Sequence, residues 1–342
     1  MKKASQRQIA EETGLSQALV SLVLNGKQEG VAKESQRKIW ESAERLGYRT
    51  THSHRPFDGT QIQTIGYVLR DPLRLASTSN FFSEVHEGLD QYLSGSLART
   101  TFLGSESDLH LRPLKEIVDR DPGFRGIVIM GEIQNEAIDL LLNLKCPLVY
   151  ISARAPGVCH SINANEVAAA ELAVSHLLHL GHHKFAYLGS QTPTSRTQER
   201  RNAFFNAIRR SDSNAEVIVE VSHQQADRKF GWGMAQELLK KPINERGTAW
   251  VCVGGLIARG ALDALTHHPD YPESPITLIS LDQTQICSSE SPSITAVGTN
   301  PHLLGKEAGK LLLGLTQNDE IQRDLALPAS LQVGNSSFRL LN

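Results

Sequence analysis

The sequence predicts a small all-α head followed by a core of two doubly wound α/β subdomains with parallel sheets. Three observations predict it. Residues 6–26, QRQIAEETGLSQALVSLVLNG, read as two short amphipathic helices broken at Gly14, the pattern of a helix-turn-helix. From residue 64 onward, short apolar runs rich in β-branched residues alternate with amphipathic stretches, as buried parallel strands and their covering helices do. That alternation fills most of a 342-residue chain, which is more than a single sheet accommodates.

In the head, Ser5 is placed to cap a first helix whose inward residues are Ile9 and Ala10. Gly14 tolerates the left-handed turn that must follow. Ser16 caps a second helix with Leu19, Val20 and Val23 facing inward, and Asn25-Gly26 ends it. A third helix is expected over 33–46, with Ile39, Ala43 and Leu46 as its stripe and Gly47 as its stop. The next stretch, RTTHSHRPFDGTQIQ, is polar and contains Pro and Gly, so it reads as a linker.

Beyond the linker the expected order is TIGYVL, a helix over 80–94, RTTFLG, a helix over 109–120, GIVIMG, a helix over 135–144, and PLVYIS. After a polar break near 153–165 come a helix over 165–180, KFAYLG, a helix over 197–210, EVIVEV, a helix over 227–240, AWVCVG, a helix over 255–266, and ITLISL. Ligands of such sheets bind beyond the carboxyl ends of the strands. Ser152, Gln191, Gly254 and Asp282, each just past a strand, are therefore candidate binding residues.

Composition narrows the function. Residues 1–50 hold nine Lys/Arg against six Glu, a formal +3, so the net −2 of the whole chain leaves −5 on the remainder. A cationic head on an anionic body suits a phosphate-contacting module attached to a domain with a different task. No apolar run is long enough to span a membrane, and Met1-Lys2-Lys3 leads directly into an amphipathic pattern, so a cytoplasmic protein without a secretory leader is expected. Cys146, Cys159, Cys252 and Cys287 are widely spaced and read as free thiols in a reducing compartment. His182-His183 and His267-His268 are adjacent pairs with no carboxylate or Cys at ligand spacing, so no metal and no cofactor are expected. Nor does the chain carry a dinucleotide Gly-x-Gly-x-x-Gly after its first strand, a phosphate loop or a Gly-x-Ser-x-Gly elbow, which counts against an enzyme and gives no catalytic residues.

Taken together, the order of parts resembles the lactose-repressor (LacI/GalR) family of bacterial transcriptional regulators over essentially the whole chain. The residues that carry the resemblance are IAEETGLSQALVSLVLNG, RLGYR, TIGYV, NFFSEVHEGL, AELAVSHLLHLGHHKFAYLG, RRNAFF from Arg200, SLDQ, GKEAGKLLL and LPASLQVGNSS. The resemblance implies a helix-turn-helix head over 1–48, a hinge over 49–61 and a periplasmic-binding-protein-like core over 62–342. Three crossovers would join its first subdomain, 62–161 plus about 292–322, to its second, 162–291 plus about 323–342, with ITAVGTN and the helix around Lys306 returning to the first. It further implies a homodimer, with a tetramer as the alternative, on a pseudo-palindromic operator of double-stranded DNA. A small-molecule effector, carbohydrate-like, would sit in the cleft, and repression is the expected outcome. A solute-binding protein without DNA function is the competing possibility, against which the basic head weighs.

In this family the second helix lies in the major groove, so Gln17 and Ala18 would meet base edges, Gln an adenine and Ala a thymine methyl. Ser16 and Ser21 would offer hydroxyls to phosphates, Lys2, Lys3, Arg7, Arg49 and Arg55 would supply the cations, and Ser5 and Asn25 are further DNA-binding candidates. Leu22 stands where many members carry an Arg for guanine, and Leu19 where a Thr is usual. Leu22 either touches a thymine methyl or merely extends the core of the head. Counting back from TIGYV, the hinge residue that would wedge into the minor groove is Phe57. Pro56 before it disfavours helix at Arg55, so a plain turn over Pro56-Phe57-Asp58-Gly59 is equally open.

In the cleft, Arg200 matches the family's effector-contacting Arg, and Asp282 the acidic residue after the last strand. Arg200 could instead pair with Asp282 or Glu199. Phe81 and Phe82 offer an apolar wall, or core packing. Three departures remove acceptors that a sugar would use: Gly254-Gly255, Ala164-Asn165 and Ser152 stand where acidic or amide residues are common, which leaves an anionic or less hydroxylated effector, or none, open.

Overall fold

In the computed structural model the described residues are 5–24, 30–46, 48, 62–71, 81–191, 194–211, 214–224, 226–269, 276–315 and 321–340. The head is three helices, α1 (Gln6–Thr13), α2 (Gln17–Leu24) and α3 (Lys33–Arg45). Ser5 caps α1 through a reciprocal capping box with Gln8, and Gly14 closes that helix at φ +68°. Ile9, Val20, Val23, Leu24, Ile39 and Ala43 form one small core, whereas Leu46, expected on the stripe of the third helix, is exposed.

Two lobes follow. The first is built from β1 (Gln63–Leu69), α4 (Phe81–Ser94), β2 (Ala98–Ser105), α5 (Leu114–Arg120), β3 (Phe124–Met130), α6 (Asn135–Leu142), β4 (Leu148–Ile151) and β5 (His160–Ala164). The second contains α7 (Glu166–His179), β6 (Lys184–Ser190), α8 (Ser195–Ser211), β7 (Glu216–His223), α9 (Arg228–Leu239) and α10 (Ile243–Arg246). It continues through β8 (Ala249–Cys252), α11 (Gly255–Thr266), β9 (Thr277–Ser280) and β10 (Thr295–Gly298). The chain then returns to the first lobe for α12 (Pro301–Gly314) and β11 (Asp324–Leu327), and ends in the second with β12 (Ser330–Gln332).

The first sheet runs β2-β1-β3-β4-β5-β11 and is parallel throughout. The second runs β7-β6-β8-β9-β10-β12, parallel except for β12. Central strands such as β8 and β9 are buried along their whole length, as sheets covered on both faces require. In the first lobe α4 and α12 seal one face over Ile65, Val128 and Val149, and α5 and α6 seal the other over Ile127 and Ile129. The pair α4–α12 is close enough that a Cβ at Gly88 would run into the backbone of His302, and one at Gly305 into the carbonyl of Val85.

Several expectations need correction. The helix expected over 109–120 is a 3-10 turn, Glu106–Leu111, followed by α5 after a break. Pro113 forces Arg112 into extended backbone, φ −106°, ψ 143°. The polar break near 153–165 contains a strand, β5, whose His160, Ser161 and Asn163 are buried. These side chains are satisfied by β11 and the residue before it: Ser161 and Asn163 donate to Asp324, and His160 accepts from the backbone N–H of Arg323. ITAVGTN does not return to the first lobe, because β10 extends the second sheet beside β9. The crossing falls just after it, at Asn300-Pro301, and β11 belongs to the first sheet and not the second. Three crossings, after β5, β10 and β11, thus join the lobes.

Candidate functional site

On the head, α2 sorts its residues by face. Val20, Val23 and Leu24 point inward, whereas Ser16, Gln17, Ala18 and Leu22 are exposed and Ser21 is half-buried. Leu22 is 43% exposed, which removes the alternative that it extends the core. Ser16 accepts the backbone N–H of Leu19 at 3.2 Å and Ser5 that of Gln8 at 3.4 Å. The Ser5 hydroxyl in turn donates to Gln8 Oε1 at 3.3 Å, and the Ser16 hydroxyl, which accepts here, can also donate outward. Glu12 binds the head together, accepting from Ser42 at 2.6 Å and pairing with Arg45. Arg7–Glu11, Arg37–Glu41 and Lys38–Glu34 are exposed pairs one turn apart, so part of the head's positive charge is locally balanced. Lys2, Lys3, Asn25, Arg49, Arg55 and Phe57 lie outside the described residues.

Between the lobes, the carboxyl ends of the two sheets face each other around a buried ion network. Glu166, on the first turn of α7, takes Arg200 of α8 in a bidentate pair with both N–O distances 2.9 Å. Arg200 also donates to the carbonyl of Val253 at 2.5 Å, with Asp282 3.9 Å away. One turn earlier on the same helix, Arg196 lies 3.4 Å from Glu166 and 3.3 Å from Asp282. Its guanidinium sits 3.8 Å above the ring of Phe81, which α4 brings from the opposite lobe. Burial by itself would raise the Glu166 carboxyl, but Arg200 and Arg196 hold it below its ordinary range. Burial likewise works against the charge on Arg200, and Glu166 and Asp282 reverse that and push its pKa up.

Further polar contacts cross the cleft. Ser195 donates its backbone N–H to Glu132 at 2.8 Å, Arg154 reaches Glu199 at 3.0 Å, and Gln285 donates its backbone N–H to Glu84 at 2.8 Å. The space left beside Ser152, Asn163, Glu166 and Arg196 is about 10 Å³, room for a single water at most. Ser152 is buried at φ +62°, and its hydroxyl has no hydrogen-bond partner among the described residues. An orphaned, strained polar group facing a cleft marks a place built for something else to touch. On the outer side, a groove of about 450 Å³ between α7 and α8 carries Gln198, Asn202 and Asn206 and shares Ser195 and Glu199 with the closed space.

Residues 174–337 match the family of periplasmic binding protein-like domains. A solved LacI-family regulator from Enterococcus faecium with bound ribose superposes with a TM-score of 0.66 at 22% identity, covering 82% of this chain and all of that one. The lac repressor dimer bound to operator and the anti-inducer ONPF superposes with a TM-score of 0.65 at 19% identity, over 98% of this chain and 100% of that one, head included. The HTH-type transcriptional repressor PurR of Aliivibrio salmonicida (strain LFI1238) is 26% identical over 324 residues, 91% of each chain. These likenesses support a LacI/GalR-type regulator.

The cleft is closed by side chains of both lobes. Of the residues singled out from sequence, Phe81, Ser152, Arg200 and Asp282 come together, and Gly254 lies beside them, 3.7 Å from Asp282 at the position of its would-be Cβ. Phe82 is half-buried and meets the Phe81 ring edge-on at 5.1 Å. Gln191 is not drawn in: it is exposed, and its amide donates to the carbonyl of Ser222 on β7. Arg200 pairs mainly with Glu166, not Glu199, which goes to Arg154. Sequence reasoning missed Glu166 and Arg196. A start of α8 at 195 and not 197 would have put Arg196 and Arg200 on one face.

Among the described residues, no group of three or more His, Cys, Asp or Glu is placed to hold a metal, and no helix is long and apolar enough to cross a membrane. All four cysteines are free, and burial pushes the Cys159 and Cys287 thiols up to about 11.

Proposed function

We propose that this chain is a sequence-specific DNA-binding regulator of transcription, acting as a repressor, whose hold on its operator is set by a small molecule in the cleft between the lobes. One observation carries it. The exposed row on α2 belongs to a head continuous with a two-lobed core, and a transcriptional repressor aligns with the chain over 91% of its length.

On DNA, α2 enters the major groove, where Gln17 reads an adenine edge and Ala18 and Leu22 rest against thymine methyls. Ser5, Ser16, Ser21, Asn25, Arg49 and Arg55 hold phosphates, and Phe57 wedges the minor groove. The protein acts in the cytoplasm as a homodimer on a pseudo-palindromic site. The effector belongs to the carbohydrate-like metabolites, as the ribose of the Enterococcus faecium structure supports, and Ser152, Arg200, Asp282 and the Phe81–Phe82 wall are its contacts, with Gln191 and Gly254 at the margin.

Selection from a random duplex library, repeated with and without pentoses and hexoses, tests this. A recovered palindromic consensus whose binding changes with one of those sugars is the expected result. Recovery of no consensus would overturn the reading.

A further inference from the structure

The cleft closes on a part of the chain itself. Arg196 has the setting of a bound ligand: the second lobe holds its guanidinium with two carboxylates, Glu166 at 3.4 Å and Asp282 at 3.3 Å. The first lobe then covers the flat face of that group with Phe81 at 3.8 Å. Held by one lobe and capped by the other, the guanidinium fills the cleft, and only about 10 Å³ is left beside it. The remaining clasp is assembled around the same two turns of α8, with Ser195 on Glu132 and Glu199 on Arg154.

We propose that Arg196 is a tethered occupant of the effector cleft, its guanidinium itself bridging the lobes, and that the ligand able to take its place bears a compact guanidinium or ammonium group, as an amino sugar does among carbohydrate-like metabolites. This deepens the cleft reading of the proposed function and rests on it for the word effector, though not for the geometry.

The charge balance decides the class. Without Arg196, the vacated volume is bounded by an aromatic face and by Glu166 and Asp282, with Arg200 alone left to balance them. Glu84, Glu132 and Glu199 stand nearby against Arg154. A neutral polyol entering there leaves two buried carboxylates with one guanidinium between them, an anion adds to the excess, and a cation restores the balance. The side chain of Arg196 keeps 19% of its surface exposed, so it has a way out toward water when a competitor enters.

Two backbone amides report the closed state directly, because their acceptors lie on the other lobe: Ser195 N–H on Glu132 and Gln285 N–H on Glu84. Hydrogen exchange of these amides is followed in the full chain without DNA, in the wild type and in Arg196→Ala and Arg196→Gln. Both amides are protected in the ligand-free wild type, and each variant exchanges on the order of tenfold faster there, while amides inside the two sheets are unchanged. Millimolar methylguanidinium restores protection in Arg196→Ala, and methylurea, its neutral isostere, does not. Fast exchange in the wild type, unchanged protection in the variants, or equal recovery with methylurea would each overturn the proposal. Arg196→Gln keeps the question open to answer if the alanine variant does not fold. Since no step depends on DNA, failure of the regulator reading and failure of this one are separable.

Discussion

Leu22 and Glu166 illustrate what a single residue decides. Leu22 is exposed on the outward face of α2, so its removal costs the head little: Leu22→Ala should move stability by less than about 0.5 kcal/mol. The same change lowers operator affinity, and Leu22→Arg moves the preferred base at one position of each half-site toward guanine, by about 1–3 kcal/mol. Melting curves and a duplex panel varied at that position check both. Glu166 is the opposite case, buried and bearing two Arg residues. Glu166→Gln should cost about 3–5 kcal/mol in denaturant unfolding, because it leaves Arg200 and Arg196 with uncompensated charge. Its pH dependence has a definite sign. The folded pKa lies below the ordinary 4.5, so the carboxylate's contribution is present in full above that value and is lost as pH falls through the folded one. Acid unfolding of the wild type should therefore be steeper below about pH 5 than that of Glu166→Gln. Arg200 and Asp282 were legible because each follows a family motif or a strand end. Glu166 and Arg196 were not, since nothing in a sequence says that the first turns of α7 and α8 meet.

Elements were legible where apolar periodicity carried them and obscure where polar residues are buried. Strands β1, β3, β6 and β8 stand out as β-branched runs, and α4 as an amphipathic stretch. Strand β5 hides because His160, Ser161 and Asn163 find partners on β11 and the residue before it, some 160 residues away, so burial leaves no hydrophobic trace. On the head, three cations are engaged in exposed i, i+4 pairs that are each worth little and yield easily to a phosphate. A dimer making about 6–10 phosphate contacts should lose roughly 10³–10⁵ in operator affinity between 50 and 200 mM salt. The hinge adds a second test at this scale, argued from sequence alone. Phe57→Ala should weaken operator binding while leaving the salt slope and dimerisation unchanged, because a wedge acts through base unstacking and not through charge. Fluorescence anisotropy across a salt series measures both quantities in one experiment.

At the scale of the whole molecule, three crossings join the lobes, and whatever bridges them biases their closure. The two-lobe plan was legible from the length of the strand-helix alternation, but the crossings were not. Strand β10 and strand β11 are four residues each, and either sheet could have taken them on pattern alone. A ligand that favours one closure state by about 1–3 kcal/mol changes operator affinity roughly 5–150-fold, which is the range in which this cleft needs to act. Everything at this scale assumes that the head recognises a sequence. The most direct measurement is a competition titration of the full chain at physiological salt, with its selected duplex against a scrambled duplex of equal length and composition. The account predicts a preference of about 10³ or more for the selected site. Equal affinity for the two duplexes would contradict it.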